Sequence, residues 1–142
     1  MYSHLTPIKG PALWLGSELK ERADWISTLS SEDVAELMRA AKAIEDKDMM
    51  SITRVDFPLP HLGPKLAQLQ REVMYGRGFA LLRGLDVSSL PLDFIARLYW
   101  GLGTWLGVPI SQNQDGHLLG HVTDIGARAH HPEQRGFQSA DS

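Results

Sequence analysis

Residues 76–107 read GRGFALLRGLDVSSLPLDFIARLYWGLGTWLG, and the fold class turns on them. Gly76 and Gly78 end whatever helix precedes them. Phe79-Ala-Leu-Leu-Arg83 is a short apolar run closed by Gly84, the pattern of a buried strand. Pro91 then opens a helix at a favoured first position. Ile95, Leu98, Leu102, Trp105 and Leu106 recur at helical spacing as its core stripe, and Gly107 and Pro109 stop it. Strand and helix side by side in one short stretch predict a mixed, α+β domain.

Toward the N-terminus the pattern is helical. Leu62, Leu66, Leu69, Val73 and Met74 mark one face of a helix that ends at Gly76. Residues 48–61 form a connector, because FPLP at 57–60 removes backbone donors and restricts the residues before each proline. The preceding helix is capped by Ser30 or Ser31, with Ser30 and Asp33 at capping-box spacing. Its apolar side is Val34, Leu37, Met38, Ala41 and Ile44. Lys42 and Lys47 sit near the negative end of its dipole. A shorter helix is expected from Ser17 to Leu29, with Ser17 as N-cap and Leu19, Ala23, Trp25 and Ile26 inward. Residues 1–16, with Pro7, Gly10, Pro11 and Gly16, read as an arm. Trp14, Trp25, Trp100 and Trp105 fit core positions, since no basic groove surrounds them as single-strand binding would require.

Toward the C-terminus, Val108 to Ser111 looks like the start of a strand. Gln112-Asn-Gln-Asp-Gly116 is turn chemistry, and His117 to Val122 reads as another strand. From Ala127 to Ser142 no period remains. The expected organisation is an arm and helical layer over 1–61, then a second part over 62–142 in which the sheet begins.

Composition removes several functions. The chain has 142 residues, 17 acidic and 14 basic side chains, a net charge of -3 and no cysteine. Without Cys there is no disulfide framework, thiolate zinc site or Cys nucleophile. No apolar run approaches the ~18 residues of a membrane span. Mixed, interspersed charge argues against nucleic acid as a partner. The first residues lack the basic start and apolar stretch of a secretory signal, so cytoplasm is the expected compartment.

Chemistry-bearing candidates are sparse. His117 and His121, four apart, share one side of a helix or strand. A zinc protease needs Glu immediately after the first His, and residue 118 is Leu. With His130 and His131 they could build a histidine metal site, against solvated or hydrogen-bonded histidines. His131-Pro-Glu133 spells H-x-E, half of a two-His-one-carboxylate iron triad. However, Pro132 interrupts a paired strand, and no His follows it. Arg83 before Gly84 could pin the strand end by a salt bridge or anchor an anion. Gln112 and Asn113 lie at a strand end where pockets form, and turn capping explains them equally. No G-x-S-x-G, P-loop or G-x-G-x-x-G occurs.

Several strings in order resemble one family: DFPLP at 56–60, GRGFALLRGL at 76–85, YWGLGTWLG at 99–107, SQNQDGHLLGHVTDIG at 111–126 and HPEQRGFQ at 131–138. They are similar to the TauD/TfdA-like non-haem Fe(II)- and 2-oxoglutarate-dependent dioxygenases. The resemblance implies N-terminal helices leading into the first strands of a double-stranded β-helix, or jelly roll. It implies Fe(II) on an H-x-D pair plus a distant His, with 2-oxoglutarate chelating the iron and a late Arg holding its far carboxylate. Ser111, Gln112 and Asn113 would line the approach to the pocket for a small organic substrate. Arg135 to Gln138 would lead into the strand that bears H-x-D.

The sequence departs from the family after Gln138, where SADS follows and no H-x-D appears. A facial triad needs three protein ligands. The expectation is therefore an N-terminal fragment, incomplete before the H-x-D motif. It would be inactive alone, with neither Fe(II) nor 2-oxoglutarate bound. The alternative is a non-catalytic binding or regulatory module derived from that fold. An interrupted sheet also predicts possible self-association through unpaired strand edges.

Overall fold

The computed structural model describes residues 9–112 and 116–120. These fall into two compact units that part between Val108 and Pro109. The first contains all the regular structure among the described residues: α1 (Gly16–Lys20), β1 (Ile26–Thr28), α2 (Ser31–Ala43), a 3₁₀ turn (Met49–Ser51), α3 (Gly63–Tyr75), β2 (Leu81–Arg83) and α4 (Leu92–Leu106). This is an α+β arrangement.

The expected helix from Ser17 to Leu29 is corrected. It starts one residue earlier, with Leu15 rather than Ser17 at the N-cap, and stops at Lys20. Two side chains end it. Asp24 pairs with the Arg22 guanidinium, and the Trp25 indole N–H donates to the carbonyls of Leu19 and Arg22, at 3.3 and 2.9 Å. Ile26 and Thr28, both β-branched, then suit an extended strand. β1 runs parallel to β2, with Ile26 opposite Leu81 and Thr28 opposite Arg83. Parallel strands need a long crossover, and α2 and α3 supply it. β2 lies where the sequence places a strand, but it is half-buried rather than fully buried.

α2 carries the expected cap. The Ser30 hydroxyl accepts from the Asp33 N–H at 3.2 Å, and Asp33 Oδ2 accepts from the Ser30 N–H at 2.9 Å. Its buried face is rotated from the apolar stripe. Asp33, Glu36, Leu37, Ala40, Ala41 and Ile44 face inward, while Val34 and Met38 are half-buried. Two carboxylates thus occupy core positions, each satisfied by a neighbour described below.

The proline-rich connector is a core element. Phe57, Leu59 and Leu62 are essentially inaccessible to solvent, and they plug the space between the three long helices. The indole N–H of Trp100 donates to the Ile52 carbonyl at 3.2 Å, and that of Trp105 to the Phe57 carbonyl at 2.8 Å. The Arg54 guanidinium lies 3.8 Å above the Trp105 ring. Gly101 allows the close approach, because a Cβ there would overlap the Phe57 ring, and Gly63 does the same for Trp105. From α4, Arg97 donates to the Ile44 and Lys47 carbonyls at 3.2 and 2.7 Å, a second bond for Ile44, whose carbonyl also accepts from the Lys47 N–H at 3.0 Å.

Three further expectations fail on packing. Val73 and Met74 point to solvent, because α3 is covered only along its first turns, around Gly63 and Leu66. Leu106 is exposed at the end of α4. Trp14 is nearly half exposed and stands edge-on to Phe79 at 5.1 Å rather than inside the core.

In the second unit, residues 109–112 and 116–120 form no strand ladder among the described residues. The strands expected from Val108 and from His117 are therefore absent over those positions. A strand is held by a partner that takes its backbone bonds, and here the chain turns instead. Gly116 has a left-handed φ of 81°, which glycine adopts without strain. His121 and Val122 lie outside the described residues.

Candidate functional site

Ser111 and Gln112 lie on the exposed approach to this turn. The Gln112 N–H donates to the His117 carbonyl at 2.7 Å and closes it. The Gln112 side-chain amide donates to the Ile110 carbonyl at 2.9 Å, so its N–H edge serves the local backbone. Gly120 comes against the Gln112 Cβ. Asn113 lies outside the described residues, as do His121, His130, His131, Glu133 and Arg135–Gln138.

The chemistry in the first unit gathers elsewhere, in a cleft of about 400 Å³ between the β-ladder and α3. Its charged lining is Asp24, Asp33, Lys65, Glu72 and Arg77. Asp33 is 1% exposed. Both its oxygens meet the Lys65 ammonium, at 2.9 and 2.8 Å, and Oδ2 also accepts from the Ser30 hydroxyl at 2.9 Å. Burial is the largest single influence on this carboxyl and raises its pKa. The Lys65 and Ser30 bonds together outweigh burial and bring the pKa down to about 2. His61 Nε2 stands 3.6 Å from Asp33 and from Glu32.

At the far end of the cleft, Arg77 joins three segments. Its guanidinium meets Asp24 at 2.9 Å and Glu72 at 3.4 Å, and its backbone carbonyl accepts from the Trp14 indole at 3.2 Å. Arg22 completes an alternating row with Asp24, Arg77 and Glu72. One guanidinium nitrogen, Nη1 of Arg77, is buried without a partner. A hydrogen-bonded ion-pair row of this kind orders the arm and the strand entry, but it presents no nucleophile.

The fit to an iron centre is testable on these donors. Among the described residues no group of three or more His, Asp or Glu side chains is placed to hold a metal ion. His61 stands beside two carboxylates there, Glu32 and Asp33. Asp33, the nearer to the core, already gives both oxygens to Lys65. The described residues therefore do not fit a two-His-one-carboxylate triad. His117 lies in the second unit, within the turn. Arg83 ends β2, exposed, and its carbonyl accepts from the Leu29 N–H at 2.8 Å. Among the described residues it makes no ion pair.

Sequence reading missed the Asp33–Lys65 pair, the Glu36 bonds to the His61 and Leu62 N–H groups, and the Arg77 pairs with Asp24 and Glu72. One signal was present. Asp33, Glu36 and Ala40 recur at helical spacing beside Leu37 and Ala41, so two acids share a face with the core stripe. Their partners, 25 to 32 residues away in sequence, leave no local trace.

No helix among the described residues is long and apolar enough to cross a membrane. No protein-family model matches the chain. Two characterised proteins are similar to it. FR-33289 synthase of Streptomyces rubellomurinus is 26% identical over 139 residues, which cover 96% of this chain and 41% of that protein. The taurine hydroxylase-like protein SAT17 of Stachybotrys chartarum is 28% identical over 124 residues, covering 85% of this chain and 32% of the relative. The chain thus spans about two fifths and one third of the lengths of these relatives.

Proposed function

We propose that this chain corresponds to the N-terminal helical portion of a TauD/TfdA-like Fe(II)- and 2-oxoglutarate-dependent dioxygenase acting on a small organic substrate. One observation carries the reading: the similarity runs over nearly the whole chain, yet it fills well under half of a synthase and of a taurine hydroxylase-like protein. The ordered strings from DFPLP to HPEQRGFQ point the same way. Fe(II) with 2-oxoglutarate would supply the oxidising power in a complete member of the family. The residues of this chain would contribute the helical layer and, at Ser111, Gln112 and Asn113, the approach to the substrate pocket. The jelly roll and the iron ligands that the family resemblance implies would lie outside this chain.

On this reading the 142-residue chain alone turns over nothing. The test is succinate release from 2-oxoglutarate with Fe(II) and ascorbate over a panel of small organic acids. No chain-dependent succinate is expected. Turnover that scales with the chain would overturn the proposal, and a micromolar Fe(II) site by titration calorimetry would count equally against it.

A second reading, a binding module without catalysis, draws on one feature. The first unit has its own closed core around Phe57, Leu59 and Leu62 and a capped α2. Melting separates the two readings. A cooperative transition in a monodisperse chain favours the module, and a broad transition favours a portion that needs the rest of its domain.

A further inference from the structure

Where the N-terminal arm meets the entries to β1 and β2, the first unit holds an open pocket of about 600 Å³, a size typical of small-molecule sites. Three aromatic rings wall it. Phe79 stands edge-on to Trp14 at 5.1 Å and tilted to Trp25 at 5.7 Å. Both indole N–H groups are already spent. Trp14 donates to the Arg77 carbonyl, and Trp25 to the Leu19 and Arg22 carbonyls. Those bonds hold the rings in place and leave them no polar group to offer. Ala12 and Gly78 keep the space open, since the place a Gly78 Cβ would take lies 3.9 Å from the Ala12 Cβ.

Arg77 is the one charged residue in this lining. Its pairs with Asp24 and Glu72 both run through Nη2, at 2.9 and 3.4 Å. Nη1 is buried without a partner, the sole such side-chain atom among the described residues. A buried donor costs free energy until an acceptor meets it. Charge is a separate matter. Arg22 and Arg77 carry two positive charges and Asp24 and Glu72 two negative ones, so the row is already neutral. What Nη1 lacks is a lone pair rather than a counter-ion. A third carboxylate beside Asp24 and Glu72 would meet repulsion, and an uncharged carbonyl oxygen would not.

We infer that this pocket binds a small, uncharged aromatic carbonyl compound, an amide or a ketone. Its ring packs against Trp14, Trp25 and Phe79 in the edge-on and offset arrangements that aromatic groups favour. Its oxygen accepts from Arg77 Nη1. A ligand of about ten non-hydrogen atoms with one such bond binds at about millimolar Kd. The inference stands on the arm and Arg77 and does not depend on the dioxygenase reading.

Titration of the intact ¹⁵N-labelled chain with phenylacetamide, up to about 20 mM, tests it. The four indole N–H signals are the readout. Trp14 and Trp25 should shift saturably, while Trp100 and Trp105, bonded to the Ile52 and Phe57 carbonyls elsewhere in the unit, stay still. Phenylacetate, the charged analogue of the same shape, should bind more weakly. Two variants locate the site. Ala12→Leu fills the pocket from an exposed position, so it should abolish the shifts without lowering the melting temperature. Arg77→Lys keeps a cation for Asp24 and Glu72 but removes Nη1, and should weaken phenylacetamide about tenfold. Shifts absent at Trp14 and Trp25 over the whole range would overturn the inference and leave water as the acceptor. So would equal shifts at all four indoles, which is unspecific adsorption. Tighter binding of phenylacetate would refute the uncharged acceptor. Binding that survives Ala12→Leu would place the ligand elsewhere, and binding indifferent to Arg77→Lys would remove Nη1 from it.

Discussion

Glu36, in the middle of α2, receives two backbone N–H groups from the start of α3: His61 at 3.0 Å and Leu62 at 2.8 Å. A helix begins with N–H groups that have no intrahelical partner, and a carboxylate there also meets the positive end of the dipole. Leu62 offers no side-chain acceptor of its own as N-cap. A residue 26 positions earlier in the chain does the capping, which locks the angle between α2 and α3 and buries the polar groups in pairs.

Glu36→Ala leaves the buried Leu62 N–H and the part-buried His61 N–H without their acceptor, so we expect a loss of about 1–3 kcal/mol of stability. Glu36→Gln keeps one acceptor oxygen and is expected to lose less. Urea unfolding of the three proteins side by side checks the order. Equal stability of wild type and Glu36→Ala would show that water replaces the carboxylate.

Acid sensitivity follows from Asp33. Its pKa falls from the ordinary 3.8 to about 2 in the fold, the net of burial pushing up and the Lys65 and Ser30 bonds pulling down further. A depressed carboxyl stabilises the fold fully above 3.8 and loses that contribution as pH drops through the folded value. The size is about 2 kcal/mol at most, since half-exposed Lys65 is partly screened. Unfolding free energy should therefore fall between pH 4 and pH 2 by about that amount, and Asp33→Asn should flatten this segment of the profile.

Two glycines in one helix predict opposite signs for the same substitution. At Gly101 an added methyl would overlap the Phe57 ring, whereas at Gly103 it meets open space. Gly101→Ala should destabilise by about 1–3 kcal/mol as the ring is forced from its rotamer. Gly103→Ala should stabilise by up to about 1 kcal/mol through helix propensity. Thermal melts of both variants at one protein concentration decide it.

Arg97→Met keeps the aliphatic stem and removes the guanidinium that bonds the Ile44 and Lys47 carbonyls. A loss of about 1–2 kcal/mol is expected, with amide exchange near the end of α2 accelerated more than that in α3. Uniform acceleration would mean that the contact supports the whole core rather than one helix end.

The sequence by itself determined where the three long helices run and the breaks between them. Ser30 with Asp33 announces the start of α2, Pro91 the start of α4, and Gly76 the end of α3, because these signals act over one turn of chain. It also carried the ordered strings that suggested a dioxygenase relative. Only the tertiary structure decided which faces are inside. The Asp33–Lys65 pair, the Glu36 cap on α3 and the Phe57 plug against Gly101 join residues 25 to 44 apart, and no local period encodes such a partner. The same holds for β1. A helical pattern over Ser17–Leu29 yields to a strand because Leu81–Arg83 offers Ile26–Thr28 a ladder that an isolated segment cannot see. Of the candidate site, Ser111 and Gln112 are placed on a turn. The cleft at Asp33 and Arg77 emerged only when charges distant in sequence met across the fold.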